Sequence, residues 1–153
     1  MKDELDVLLA DDDTDDCHFF KEALEELKLA IKLTTVHDGE KLMTWLENRV
    51  TEGGYPPLPN VLFLDLNMPR KNGFECLHEI KSSERLKQLP VIILSTSFEE
   101  GVVNLLYASG AQYFLRKPTD FSLFKKAIQQ TVIISTAQQE TQQPTRAQFV
   151  ITL

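Results

Sequence analysis

Val61-Leu62-Phe63-Leu64-Asp65-Leu66-Asn67-Met68-Pro69-Arg70-Lys71-Asn72-Gly73 is the stretch that decides the fold. An unbroken apolar run leads into a carboxylate, and a turn rich in Pro, Asn and Gly follows at once. A strand with one wet face alternates apolar and polar residues; a short unbroken run is what a strand covered on both faces looks like. Val7–Ala10 (VLLA) has the same character and ends in Asp11-Asp12-Asp13. Val91–Leu94 (VIIL) has it too and ends in Ser95-Thr96-Ser97. Ile31–Val36 and Ala111–Leu115 add two further β-rich runs.

Helical periodicity fills the intervals. Phe20, Ala23, Leu24 and Leu27 form one face of a first helix, and Leu42, Trp45 and Leu46 one face of a second. Phe74, Leu77 and Ile80 mark a third, Val102, Val103, Leu105 and Leu106 a fourth, and Phe121, Phe124, Ile128 and Val132 a fifth. Strand and helix in strict alternation predict a five-stranded parallel sheet with right-handed crossovers, an α/β fold in three α/β/α layers. Two stretches break the rhythm. Thr51–Asn60, with Gly53, Gly54, Pro56, Pro57 and Pro59, reads as a surface loop. After Val132 the chain turns Gln- and Thr-rich and ends in Phe149-Val150-Ile151-Thr152-Leu153. Residues 5–133 are expected to form the domain and 134–153 a tail. Its last residues have strand character that could pair with a sheet edge, and a frayed end is the expectation.

The chain of 153 residues has the length of one domain, with 42% apolar and 25% charged residues. Its 23 acids against 16 Lys and Arg give a formal charge of −7. That balance disfavours nucleic acid, whose affinity rests on neutralising phosphates with basic side chains. Cys17 and Cys76 stand far apart, without CxxC spacing, and read as reduced packing thiols. The charged N-terminus lacks a signal-peptide core, and no apolar run approaches the ~20 residues of a membrane span. A cytoplasmic location is expected.

Ligands of open α/β sheets bind beyond the carboxyl ends of the strands, so the residues there matter most. They are Asp11-Asp12-Asp13, then Asp65, then Ser95-Thr96-Ser97, then Lys117-Pro118. Carboxylates converging on one edge repel one another unless a cation joins them. A small cluster of hard oxygens suits Mg2+. Carboxylate, lysine and hydroxyl around a divalent ion make a phosphoryl-transfer toolkit, with an aspartate as nucleophile. Asp15, Asp16 and Asp38 are read instead as helix caps or solvated acids.

With these residues in view, the region from about Asp6 to Val132 resembles the receiver domain of two-component response regulators. LLADDD, LFLDLNMPRKNG, PVIILSTS and GAQYFLRKP carry the likeness. It implies strand order 2-1-3-4-5 and Asp65 as phosphoacceptor. It implies Mg2+ held by Asp12 and Asp65 directly, by the backbone carbonyl of Asn67, and by Asp11 mostly through water. Ser95 stands at the family's hydroxyl position, Lys117 at its lysine and Phe114 at its switch aromatic on strand five. Phe lacks the Tyr hydroxyl, and Thr96 stands where Ala is frequent. Asn67 and Arg70 fall near the site entrance. LNMPRKNG, LSTS and the Gly/Pro loop resemble the regulators that partner phytochrome-type kinases.

The implied activity is phosphoryl acceptance from a histidine kinase or histidine phosphotransfer protein, with signalling by protein binding; the chain is not expected to be an enzyme. A DNA-binding output module takes roughly 60–100 residues, and about 20 follow Val132. Output is therefore expected through helix four, strand five and helix five, with Val102, Val103, Leu106 and Phe114 as exposed candidates, and homodimer formation is compatible. The first helix and the strand-five loop are the expected kinase-docking face. The alternative is a phosphatase of the haloacid-dehalogenase type, with Asp11 as the nucleophile of a D-x-D motif. It leaves Asp65 without a role and offers only Asp120 for the acids that family needs after the lysine. A flavodoxin-like cofactor site lacks a phosphate-binding loop after strand one.

Overall fold

Val7, Leu8, Leu9 and Ala10 are all completely buried, and they divide evenly between two cores. Successive side chains of a strand point to opposite faces, so an unbroken apolar run needs a layer on each side. Val7 and Leu9 join Val61, Phe63, Ile92 and Leu94 on one face. Leu8 and Ala10 join Leu62, Leu64, Val91 and Ile93 on the other. The computed structural model describes residues 4–50, 57–137 and 143–151. Most of the expected Gly/Pro loop (51–56) and part of the Gln/Thr stretch (138–142) lie outside the described residues.

The elements follow in the order β1 (Leu5–Ala10), α1 (Thr14–Glu26), β2 (Ile31–Val36), α2 (Gly39–Val50), β3 (Val61–Asp65) and α3 (Gly73–Ser82). Then come β4 (Val91–Ser95), α4 (Glu100–Ala108), β5 (Tyr113–Arg116), α5 (Phe121–Ala137), α6 (Arg146–Phe149) and β6 (Val150–Ile151). All pairings are parallel, in the order β2-β1-β3-β4-β5-β6. The expected five-stranded order is present, with one short strand added at its edge. Buried residues of α1 and α5 cover one face, and those of α2, α3 and α4 the other.

Local chemistry starts the helices just past the strands. The Asp13 carboxylate accepts from Asp16 N (3.0 Å) and caps α1. Asp38 accepts from Lys41 N (2.7 Å) at the start of α2. Asn72 and Glu75 form a reciprocal capping box on α3. Each strand therefore empties into a short loop, and the acids stay at the sheet's carboxyl edge.

Three expectations need correction. The tail is seated rather than frayed: Val150 and Ile151 pair with Phe114 and Leu115, and the Phe149 ring is fully buried on the α4 side. Gln143 Nε2 donates to the carbonyls of Tyr107 (2.7 Å) and Ala111 (2.6 Å), and Arg146 Nε donates to Asn104 Oδ1 (2.7 Å). Val103, Leu106 and Phe114 are buried, Val102 is half-buried, and Leu105 (54% exposed) is the large apolar residue of α4 that faces outward. At the head of α5, Phe121 is 56% exposed and stacks on Phe19 with centroids 4.0 Å apart. In addition, α5 runs to Ala137.

Candidate functional site

Asp65 is the last residue of β3, paired with Leu94 and almost wholly buried. The chain turns sharply behind it: Leu66 N donates to the Leu94 carbonyl (3.1 Å), and Gly73 N to the Leu66 carbonyl (2.9 Å). A Cβ on Gly73 would stand 2.7 Å from the Asp65 carbonyl oxygen. Glycine is what lets the loop fold back against the strand end. The Asn67 N–H donates to Asp65 Oδ1 (3.1 Å), fixing that carboxylate.

Asp11 follows β1, buried, with its N–H on the Val36 carbonyl (3.0 Å) and its Oδ1 accepting from Asp13 N (3.0 Å). His37 Nδ1 lies 3.1 Å from the Asp11 carbonyl oxygen. Asp12 next to it faces solvent. Asp11, Asp12 and Asp65 each present a carboxylate oxygen within 4.8 Å of the others. Burial raises the Asp11 pKa to about 6, with Lys117 and the Asp13 N–H pulling it down and Asp65 pushing it up. Oxygen donors held this close, two of them buried, fit a small divalent cation: a cation offsets the repulsion, and oxygen is the donor that Mg2+ and Ca2+ take.

Lys117 reaches the cluster from just past the end of β5. Its N–H donates to the Ser95 carbonyl (2.8 Å), tying the β5 end to the β4 end. Its Nζ lies 2.9 Å from Asp11 Oδ2, 3.3 Å from Asp65 Oδ2 and 2.8 Å from Asp16 Oδ2. Burial alone would lower the lysine pKa, but the three carboxylates outweigh it and hold the ammonium charged. Ser95 is buried at the end of β4, and its Oγ accepts from Ser97 N (3.2 Å). Thr96 is exposed beside it. Arg70 is exposed and left-handed at φ 70°, 3.8 Å from Asp38 and from Glu40.

The structure thus brings Asp11, Asp12, Asp65 and Lys117 together. The family profile of the response regulator receiver domain matches residues 7–129. The chain belongs to this family. The receiver is 34% identical over 125 residues to the response regulator Rcp1 of Synechocystis, covering 80% of this chain and 83% of Rcp1. It is 32% identical over 124 residues to the probable methanogenesis regulatory protein FilR2 of Methanothrix harundinacea, covering 81% and 79%. Among solved structures, the Mn2+-bound form of Rcp1 is 31% identical at a TM-score of 0.75, covering 92% of this chain and 99% of that one. The phosphorylated cyanobacterial phytochrome response regulator RcpA is 30% identical at a TM-score of 0.76, covering 84% and 91%.

The receiver is therefore a phosphoacceptor signalling protein of the two-component type, and its acidic pocket of Asp11, Asp12 and Asp65 is the pocket for phosphorylation. Receivers are phosphorylated by histidine kinases. The haloacid-dehalogenase alternative falls with the family match, and Asp65, which it left idle, sits in the cluster. No helix among the described residues is long and apolar enough to cross a membrane.

Asp16 is the residue that sequence reasoning misplaced. It does not cap α1 and is not merely solvated: Asp13 caps the helix, and the Asp16 side chain turns to Lys117. The signal was its spacing. A residue three after the cap lies over the strand end, next to whatever the neighbouring strands deliver there.

Proposed function

We propose that Asp65 takes a phosphoryl group from the phosphohistidine of a kinase or histidine phosphotransfer protein, and that the receiver then signals by binding a protein target. The observation that carries this is the position of Lys117 Nζ, bonded to Asp11 and Asp65 at the edge of an acid trio. A carboxylate oxygen of Asp65 attacks phosphorus, the N–P bond breaks with its electron pair returning to the imidazole, and an acyl phosphate results. Asp11, Asp12, Asp65 and the backbone carbonyl of Asn67 would hold Mg2+. When bound, it neutralises charge on the phosphoryl oxygens.

Lys117 supplies a fixed positive charge to one phosphoryl oxygen, and Ser95 donates a hydrogen bond to another. To do so the Ser95 hydroxyl leaves Ser97 and draws the β4–α4 loop inward. Phe114 is the switch ring that repacks with that loop; Phe98 of the loop already meets it edge-on at 6.0 Å. The donor docks on α1 and the β5–α5 loop, where a groove lined by Asp13, Asp16, Thr96, Lys117, Pro118 and Phe121 opens onto the site. The target, or a second copy of the chain, docks on the α4, β5 and α5 side, where β6 already covers the β5 edge and Leu105 and Ile133 are exposed. We place the protein in the cytoplasm, which suits its two free thiols.

Incubation with Mg2+ and acetyl phosphate, followed by intact-mass analysis, tests the reading. One phosphoryl group should be gained, and Asp65→Asn should abolish the gain. Labelling that persists in Asp65→Asn but vanishes in Asp11→Asn would overturn it.

A further inference from the structure

A lysine ammonium has three N–H donors, and Lys117 has a carboxylate for each of them: Asp11, Asp16 and Asp65. The Asp16 bond is the shortest, at 2.8 Å, yet Asp16 is the only one of the three outside the metal-binding trio. The geometry points to Asp16 as the positioning residue of Lys117: it holds the ammonium over Asp65 while the other two carboxylates change partners. The inference rests on the reading of Asp65 as the phosphoacceptor.

The reaction itself removes the other anchors. Asp11 and Asp65 would also hold a divalent cation, and that would weaken their hold on the lysine. Acyl-phosphate formation then removes the negative charge of the Asp65 carboxylate and leaves a neutral, weaker acceptor. Neither event touches Asp16. The Lys117 stem has four flexible carbons, and fixing it costs side-chain entropy in every state where it must face phosphorus. One permanent partner removes most of that cost before the reaction begins.

Asp16 is built for the part. It lies in the first turn of α1, where its own N–H is tied to the capping carboxylate of Asp13 at 3.0 Å. The cap fixes its backbone relative to the strand end that carries Asp11. Its side chain is 22% exposed, against 7% for Lys117, so it bridges solvent and the buried ammonium while its partner is held in the protein. Asp16 touches no group that changes covalently, and its effect passes through the lysine alone.

The test uses the full chain, with initial rates of phosphorylation by acetyl phosphate and calorimetric titration of Mg2+. Asp16→Ala should slow phosphorylation about tenfold, and Asp16→Asn, which keeps an acceptor oxygen in place, only about threefold. Mg2+ affinity should stay within about twofold of the unaltered chain in both, because Asp16 is not a ligand. An Asp16→Ala protein that is phosphorylated as fast as the original would overturn the inference. A Mg2+ affinity that drops in step with the rate would overturn it too, placing the effect in the metal site. Should Asp16→Ala fail to fold, Asp16→Asn decides alone: a slower rate at unchanged Mg2+ affinity supports positioning, and an unchanged rate refutes it. Phosphorylation that survives Asp65→Asn would instead remove the underlying reading, an outcome separate from any of these.

Discussion

The rings of Tyr107 and Phe149 meet edge to face, centroids 5.1 Å apart, and the Tyr107 hydroxyl donates to the Pro144 carbonyl at 2.7 Å. One side chain of α4 therefore grips the C-terminal segment at two points, and Phe114 closes the aromatic cluster, 6.5 Å from Phe149. Truncating a fully buried ring costs about 3–5 kcal/mol where the cavity cannot collapse. Here the segment can detach instead, which caps the loss at whatever docking contributes. Phe149→Ala is expected to lose about 3 kcal/mol in urea unfolding. Brief trypsin treatment should then cut at Arg146 while the rest of the chain stays intact; a tail that resists cleavage would count against the latch. Tyr107→Phe, losing only the hydroxyl, should cost about 1 kcal/mol.

Gly73 offers a test of how tightly the loop behind Asp65 is folded. An added Cβ meets Leu66 Cα at 2.8 Å as well as the Asp65 carbonyl, and both are backbone atoms that cannot swing aside. Gly73→Ala should cost about 1–3 kcal/mol through overpacking, and the displaced Asp65 should accept phosphate more slowly from acetyl phosphate. Wild-type stability together with a wild-type rate would show that the loop has slack.

Legibility followed burial. The runs at Val7, Val61 and Val91 were readable because coverage on both faces leaves no polar position to blur them. The acids were readable as a site because each follows a strand end. Spacing alone could not say which side of α4 faces inward: Val103 and Leu106 do, while Leu105 does not. Two residues of β6 carry no period at all. The tail is held by the Phe149 ring, by the pairing of Val150 and Ile151 with β5, and by Gln143, Pro144 and Arg146 reaching elements far away in sequence, a pattern that leaves no local trace. Asp16 was hidden for the same reason, since its partner Lys117 arrives from another strand.

Both thiols are set against ionising. Burial, then nearby carboxylates, pushes Cys17 up to about 12; burial pushes Cys76 to about 12 as well. The folded form therefore favours the protonated thiol. That preference adds nothing while unfolded thiols are also protonated, and it turns against the folded state as pH rises above about 9. Iodoacetamide at mildly alkaline pH should label the native chain far more slowly than the urea-unfolded chain, read by mass. Equal rates would refute the burial argument.

Lys117→Met removes the charge but keeps a stem of similar length, leaving Asp11, Asp16 and Asp65 to face one another. Losing one member of a buried ion pair typically costs about 3–5 kcal/mol. Asp11 can relieve the repulsion by taking up a proton, since burial already lifts its pKa to about 6. A folded-state pKa above the unfolded one means the protonated acid supports the fold fully below about pH 4. That support is lost as pH climbs through about 6. Without the lysine the window moves upward, so the deficit of Lys117→Met should be small in acid and largest near pH 8. A cation in the trio does what the ammonium did. Millimolar Mg2+ should therefore stabilise Lys117→Met more than the unaltered chain when both are unfolded in urea near pH 8, and EDTA should remove the difference. An equal Mg2+ response in the two proteins would mean that the cation and the lysine do not share these carboxylates.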